Sequence, residues 1–222
     1  MSTVDMEKFF KVYKRNLIFR QCQGLLPGDE MVGEGVCSAL SYEWVKQNLT
    51  GNYNVQNWTR ENPLFRTFAV PENSPIGRRF PHLTEVRIGM RRVPPGMQLK
   101  QKIANLSRNT LGVERNFELL ARKDHRRVSI VHKWSGLNGG WQVAEQIQKH
   151  SIRFFGGYGL IGLLTPGGHA TACQIAGSIN RYYDPNIGEF SFANTEEFME
   201  AFALMWEMAD YKYRDLYLWT MY

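Results

Sequence analysis

Residues 159–192 read GLIGLLTPGGHATACQIAGSINRYYDPNIGEFSF, and this stretch decides the fold class. Gly159 to Leu164 is an apolar run of strand length, closed by the turn residues Pro166-Gly167-Gly168. His169 to Ile175 and Arg181 to Asp184 predict two further strands around Gly177-Ser178. Glu189 to Phe192 predicts a fourth, after Asp184-Pro185-Asn186. Short runs separated by Gly, Pro, Asn and Asp form an antiparallel set, because each tight turn returns the chain beside the strand it has just left. Asn194 with Glu197 three positions on has a capping-box-like pattern, and Phe198, Phe202 and Met205 mark the apolar face of the helix that follows. Tyr217 to Tyr222 predicts a last strand.

Upstream of residue 159 the apolar spacing is helical. Met6, Phe9, Phe10, Tyr13 and Leu17 share one face of a helix predicted over residues 4–20. Leu40, Trp44, Val45 and Leu49 do the same over 38–49, and residues 99–120 read as a helix broken at Gly112. Gly139-Gly140 precedes a short helix over 142–150, while 24–35 and 50–97 read as loops and short pieces. Helices first and strands afterwards predict an α+β protein, with a helical N-terminal half packed on a C-terminal antiparallel β-sheet. No repeat, low-complexity tract or linker divides the chain. Residues 1–222 are therefore expected to form a single domain, with 1–20 as an N-terminal helix or arm.

Of the 222 residues, 43% are hydrophobic and 13% aromatic, which is enough for a packed core, and 22% are charged, which argues against disorder. No apolar run approaches the roughly 20 residues of a membrane-spanning helix. Residues 1–20 lack the apolar centre of a signal peptide and do not begin Met-Gly, so neither Sec export nor a lipid anchor is expected. The net charge of +6 raises the question of a nucleic-acid partner. Arg78-Arg79, Arg91-Arg92 and Arg126-Arg127 are scattered, however, and lack interleaved aromatics, so none is expected. Lys and Arg around Phe9-Phe10 leave open a peripheral contact with anionic lipid; packing on the core is the simpler use of that helix. Cys22, Cys37 and Cys173 match neither a disulfide framework nor a zinc signature and fit a reducing compartment.

Three features carry chemistry. In Gly33-Glu-Gly-Val-Cys37-Ser-Ala-Leu40 a glycine-rich loop hands the chain to an amphipathic helix, with Cys37 at the junction. Unpaired N–H groups at a helix start favour negative charge, so a thiol there is held more in its nucleophilic thiolate form, and the same groups can hold an oxyanion. The ordinary reading of such a cysteine is a small buried side chain. In Pro166-Gly-Gly-His169-Ala-Thr-Ala172 the histidine opens a strand at the sheet end, and in Tyr182-Tyr-Asp184-Pro-Asn186 a carboxylate closes one before a turn. Each alone has a structural explanation.

The spacing joins the last two. With Gly177-Ser178 as the hairpin loop, Thr171 lies opposite Asp184, and His169 is its diagonal neighbour, within reach of long side chains. With Ala176-Gly177 as the loop, His169 and Asp184 face each other. Either register puts both on one face, where the carboxylate can orient the imidazole toward a nucleophile from elsewhere in the chain. Cys37 is the candidate nucleophile. Cys173 shares strand parity with His169, Trp44 and Trp206 occupy apolar helix positions suited to the core, and His125 and His132 fall in a basic run expected at the surface.

Three stretches together resemble the papain-like cysteine proteases, and more narrowly the YopT/AvrPphB family of bacterial effectors. They are Gly35-Val-Cys37-Ser-Ala-Leu-Ser-Tyr-Glu-Trp44, Gly168-His169-Ala170 and Tyr183-Asp184-Pro-Asn-Ile-Gly-Glu-Phe190. The resemblance covers about residues 30–50 and 155–222. It implies a papain-like catalytic domain in which Cys37 is the nucleophile, His169 the general base and then acid, and Asp184 the orienting carboxylate, with no metal or cofactor. It also implies a protein substrate in a target cell. The protein would be held in the bacterial cytoplasm before export and delivered without a Sec signal. Papain-like enzymes place an amide side chain five or six residues before the nucleophile as an oxyanion donor; those positions here are Val32 and Met31, with Gln21 and Gln23 farther back, so the second donor is unassigned. The same triad serves deamidases, transglutaminases and acyltransferases, and a decayed scaffold would serve as a non-catalytic binding protein. The residues alone leave these alternatives open.

Overall fold

The computed structural model describes residues 9–20, 36–61, 95–165, 168–209 and 211–222. In chain order the main elements are β1 (Leu17–Arg20), α1 (Cys37–Leu49), α2 (Val55–Glu61), α3 (Pro95–Leu111), α4 (Glu118–Lys123), β2 (Val128–Ser135), α5 (Gly140–His150), β3 (Tyr158–Leu164), β4 (Gly168–Ala176), β5 (Ile179–Asp184), β6 (Gly188–Phe192), α6 (Thr195–Met208) and β7 (Asp215–Met221). Among the described residues the strands form one sheet in the order β1-β6-β5-β4-β3-β7-β2, and every pairing is antiparallel. The protein is α+β, as its pattern of helices followed by strands predicts.

Strands β3 to β6 lie side by side in chain order because tight turns connect them. β4 and β5 pair Ala176 with Ile179 and Cys173 with Tyr182, so Gly177-Ser178 is the hairpin loop. Alternation along the strands sends side chains to two cores. Leu160, Ala170, Ala172, Tyr183 and Trp219 pack with α1 to α4 on one face. Ile161, Leu163, Cys173, Tyr182 and Leu218 pack with α5 and α6 on the other. Trp44 and Trp206 are both buried, one in each core. Helix α3 stops at Gly112, whose φ of 91° suits glycine and breaks the helical run where the sequence predicts. Gly140 permits the contact of α5 with α6, since a Cβ there would lie 2.4 Å from Cβ of Trp206.

Two edge strands depart from the sequence expectations. The helix predicted over 4–20 has ended by Tyr13, and Leu17–Arg20 is strand β1 on β6. Asn16 fixes the change: its Nδ2 donates to Ser191 O and to Glu197 Oε1, each at 3.0 Å, and its carbonyl accepts from Ser191 N at 2.8 Å. A bulge between Leu17 and Phe19 then turns these two apolar side chains into opposite cores. Phe9 and Phe10, the aromatics a lipid contact would use, are buried against Phe190. At the other edge, β2 has no alternating apolar face, because its side chains are half or wholly exposed, so periodicity does not reveal it. The glycine loop over residues 24–35 and most of the 50–97 segment lie outside the described residues. No described helix is long and apolar enough to cross a membrane.

Helix α1 is seated on the sheet by a buried ionic network. Glu189, fully buried on β6, accepts from Arg181 Nε at 2.8 Å, from Trp44 Nε1 at 3.1 Å and from the Tyr53 hydroxyl. The Arg181 guanidinium lies 5.0 Å from the ring centres of both Trp44 and Tyr53 and donates to Asn48 Oδ1 at 2.8 Å. Trp44 stacks on Tyr183 with ring centres 5.6 Å apart. A buried charge left without its partner is costly, whereas replacing the whole pair by apolar groups costs little. Arg181→Met is therefore expected to lower stability by about 3–5 kcal/mol in urea unfolding, and the double variant Arg181→Met/Glu189→Leu to regain most of that loss.

His132 of β2 stacks on His150 at the end of α5, with ring centres 3.8 Å apart. Burial, together with Lys149 and Arg153, lowers the pKa of His132; burial, then His132 and the same two cations, lowers that of His150. The fold thus favours the neutral rings. Their contribution to stability is complete above the unfolded value near 6.5 and falls as pH drops below it. A thermal unfolding series from pH 8 to pH 5 should show a loss that His132→Phe reduces.

Candidate active site

Cys37 is the first residue of α1, which has no acidic side chain in its opening turn and no cap from its own N-cap residue, Val36. The helix crosses the sheet at β4, where the Ser41 hydroxyl donates to the Ala170 carbonyl at 2.9 Å. Cys37 lies one turn before Ser41 on the same helix face, so the thiol is carried to the end of β4 beside His169. Cys37 and His169 line the same cavity, and Cys37 is among the groups that raise the pKa of the imidazole. The structure thereby brings a residue from the first half of the chain to two from the second.

His169 and Asp184 meet through strand register. Both point to the sheet face that carries Cys173 and Tyr182, and His169 Nε2 donates to Asp184 Oδ1 at 2.8 Å. Of the two registers the sequence allows, the hairpin takes the one that makes them diagonal neighbours. With Nε2 engaged by the carboxylate, Nδ1 is the nitrogen left for the thiol. Residues 37, 169 and 184 are all buried, at 5%, 4% and 0% exposure.

Asp184 is held from four sides. Besides the imidazole, Oδ1 accepts from the Asn186 backbone N–H at 2.7 Å, which closes an Asx turn at Pro185. Oδ2 accepts from the hydroxyls of Tyr182 at 3.2 Å and Tyr211 at 2.9 Å. Burial and the Asp184 charge raise the pKa of both phenols far above the ordinary value, so they remain protonated donors. The rings of Tyr211 and Tyr213 stand 5.7 and 6.4 Å from that of His169. They form an aromatic wall that fixes the imidazole plane. The sequence pattern did not single out Tyr211 or Tyr213; an aromatic pair just beyond a helix is the only signal they leave.

The electrostatic balance favours a charged imidazole. Burial alone would lower the pKa of His169, but the charge and hydrogen bond of Asp184, followed by those of Cys37, push it up from 6.5 to about 10. A thiol at a helix start beside such a ring can pass its proton to the ring and remain as thiolate. Cys173, in contrast, is fully buried in the apolar core, and burial pushes its thiol up to about 12. Cys22 lies outside the described residues, as do Gln21, Gln23, Met31 and Val32, the positions considered for an oxyanion donor. His125 is exposed, whereas His132 is half-buried, with its Nε2 enclosed in the stack on His150. Among the described residues no group of three His, Cys, Asp or Glu side chains could hold a metal ion.

No protein-family model matches the sequence, and no curated protein matches it. Among solved structures, the crystal structure of the Pseudomonas avirulence protein AvrPphB is similar in fold, with a TM-score of 0.53 over 84% of this chain and 91% of that one. The two sequences are 16% identical over the match, and the likeness is one of fold.

The raised pKa of His169 has a defined sign. Its contribution to stability is complete below pH 6.5 and is lost as pH rises through about 10. Asp184→Asn removes the main raising charge. It should therefore move the His169 titration, followed by imidazole NMR, to lower pH, and should shorten the alkaline side of the pH profile for Cys37 alkylation.

Proposed function

We propose that the protein is a cysteine protease of the effector type, acting on a protein of a target cell through Cys37, His169 and Asp184, with residues 1–222 as a single papain-like catalytic domain. The observation that carries this reading is a thiol and an imidazole on the wall of one cavity, with the imidazole bonded at 2.8 Å to a fully buried carboxylate. The sequence resemblance to the YopT/AvrPphB family and the fold likeness to AvrPphB point the same way. They are partly independent, since one rests on short motifs and the other on the course of the backbone. Fold alone would not assign an activity.

The mechanism follows from the roles. The Cys37 thiolate attacks the scissile carbonyl carbon, a C–S bond forms, and the carbonyl electron pair moves to oxygen. When the tetrahedral intermediate collapses the C–N bond breaks, and the imidazolium of His169 gives its proton to the departing amine. Water then enters. The now neutral imidazole takes its proton, the hydroxide oxygen bonds to the acyl carbon, and the C–S bond breaks to return the thiolate. Asp184 keeps the ring in one tautomer and one plane through both halves and is itself not consumed. Delivery into the target cell belongs to the same proposal.

Two measurements test it. Iodoacetamide at pH 6, read by peptide mass spectrometry, should alkylate Cys37 at least tenfold faster than Cys22 and Cys173; equal rates would remove the nucleophile. Target-cell extract treated with the protein should then yield new protein N-termini that are absent with Cys37→Ala, a variant expected to keep the parental Tm within about 2 °C. A mass gain of about one dalton, or a crosslink, in place of a cut would assign the same triad to deamidation or transglutamination.

A further inference from the structure

Beside Cys37 and His169 lies a small cavity of about 20 Å³, close to the room needed for a single water-sized oxygen. Its far wall is not apolar. Gln101, Asn105 and Arg108 of α3 line it, with Asn116 in the turn before α4. The orientations of the amides follow from the bonds they make. The backbone N–H of Ala39, in the first turn of α1, donates to Gln101 Oε1 at 3.0 Å. An N–H can only donate, so the Gln101 oxygen must face it, and Nε2 must face the other way. That Nε2 donates to Asn105 Oδ1 at 2.9 Å. With its oxygen held by Gln101, Asn105 has its NH₂ group left to donate, on a residue that lines the cavity. Asn116 is committed differently, its Nδ2 donating to Ser38 Oγ at 3.3 Å.

We infer that Asn105 is the side-chain oxyanion donor of the reaction proposed above, and that Gln101 is the positioning residue that sets its amide. This rests on Cys37 being the nucleophile. The helix start that carries the thiol thus also fixes the donor's polarity, through the relay Ala39 N–H, Gln101, Asn105. The cavity matches a lone carbonyl oxygen, and it shares its walls with the thiol and the imidazole. The donor stands on a helix and lies nearly seventy residues after the cysteine.

The test separates oxyanion stabilisation from thiol activation. Alkylation by iodoacetamide is a displacement at saturated carbon and forms no oxyanion. Acylation by p-nitrophenyl acetate does form one: the thiolate adds to the ester carbonyl, negative charge gathers on its oxygen, and p-nitrophenolate leaves as the thioester forms. Both rates are read at the Cys37 peptide. In Asn105→Ala and in the nearly isosteric Asn105→Leu, acylation should fall about 10²-fold while the alkylation rate and its pH profile stay within about twofold. An acylation loss smaller than about threefold in both variants overturns the inference. So does a parallel fall of acylation and alkylation, which would make Asn105 a structural residue. Failure of the nucleophile itself would be visible separately, as unselective alkylation in the parent protein, and would remove both proposals.

Discussion

The seating of α1 across the sheet is the constraint on which the site depends. Cys37 stands on a helix, while His169 and Asp184 stand on strands, and only the packing between them brings the thiol and the imidazole to one cavity. Glu189 and Arg181 hold that packing from the far end of the helix, through Trp44, Asn48 and Tyr53. Ser41 holds it at the near end, on the carbonyl next to His169. The buried charge pair adds little net stability against an apolar alternative. Its consequence is specificity of placement, since a rotated or shifted helix would strand a carboxylate without donors.

Within the site, burial and charge oppose each other. Burial disfavours an imidazolium, and Asp184 reverses that preference because its charge lies 2.8 Å from the ring, where it is held by three further donors. Two of these are tyrosine hydroxyls from separate elements, β5 and the segment after α6. The carboxylate is thereby fixed in direction as well as in charge. Its two oxygens have different work: Oδ1 faces the imidazole and the Asx turn, and Oδ2 faces the phenols. In a low-dielectric surrounding such a network is rigid when complete and costly when any member is removed.

The likeness to AvrPphB at 16% identity shows how much sequence this fold can exchange. In this chain the site itself asks for little: a helix start facing a strand end, and a hairpin whose register sets two side chains as diagonal neighbours. The rest of the wall is supplied by whatever element passes nearby. Here that element is α3, which brings an amide cluster to the thiol.

The sequence by itself determined the strand series from 159 to 192, the loop-to-helix junction at Cys37, the break at Gly112 and the cap at Asn194. Each of these is local chemistry: turn residues, helical spacing, a glycine at positive φ, a side chain bonding three residues on. It also placed His169 and Asp184 on one face, because the two registers with a two-residue loop at 176–178 have the same parity. Strands β1 and β2 escaped it, since edge strands are held by their neighbours' free backbone groups and need no apolar alternation of their own. The meeting of Cys37 with His169, the phenol donors of Asp184 and the amide relay through Gln101 were decided only by tertiary structure. Apart from the local Tyr182–Asp184 and Gln101–Asn105 bonds, they join positions tens to more than a hundred residues apart, and such contacts arise from the packing of finished elements, which leaves no period in the chain to read.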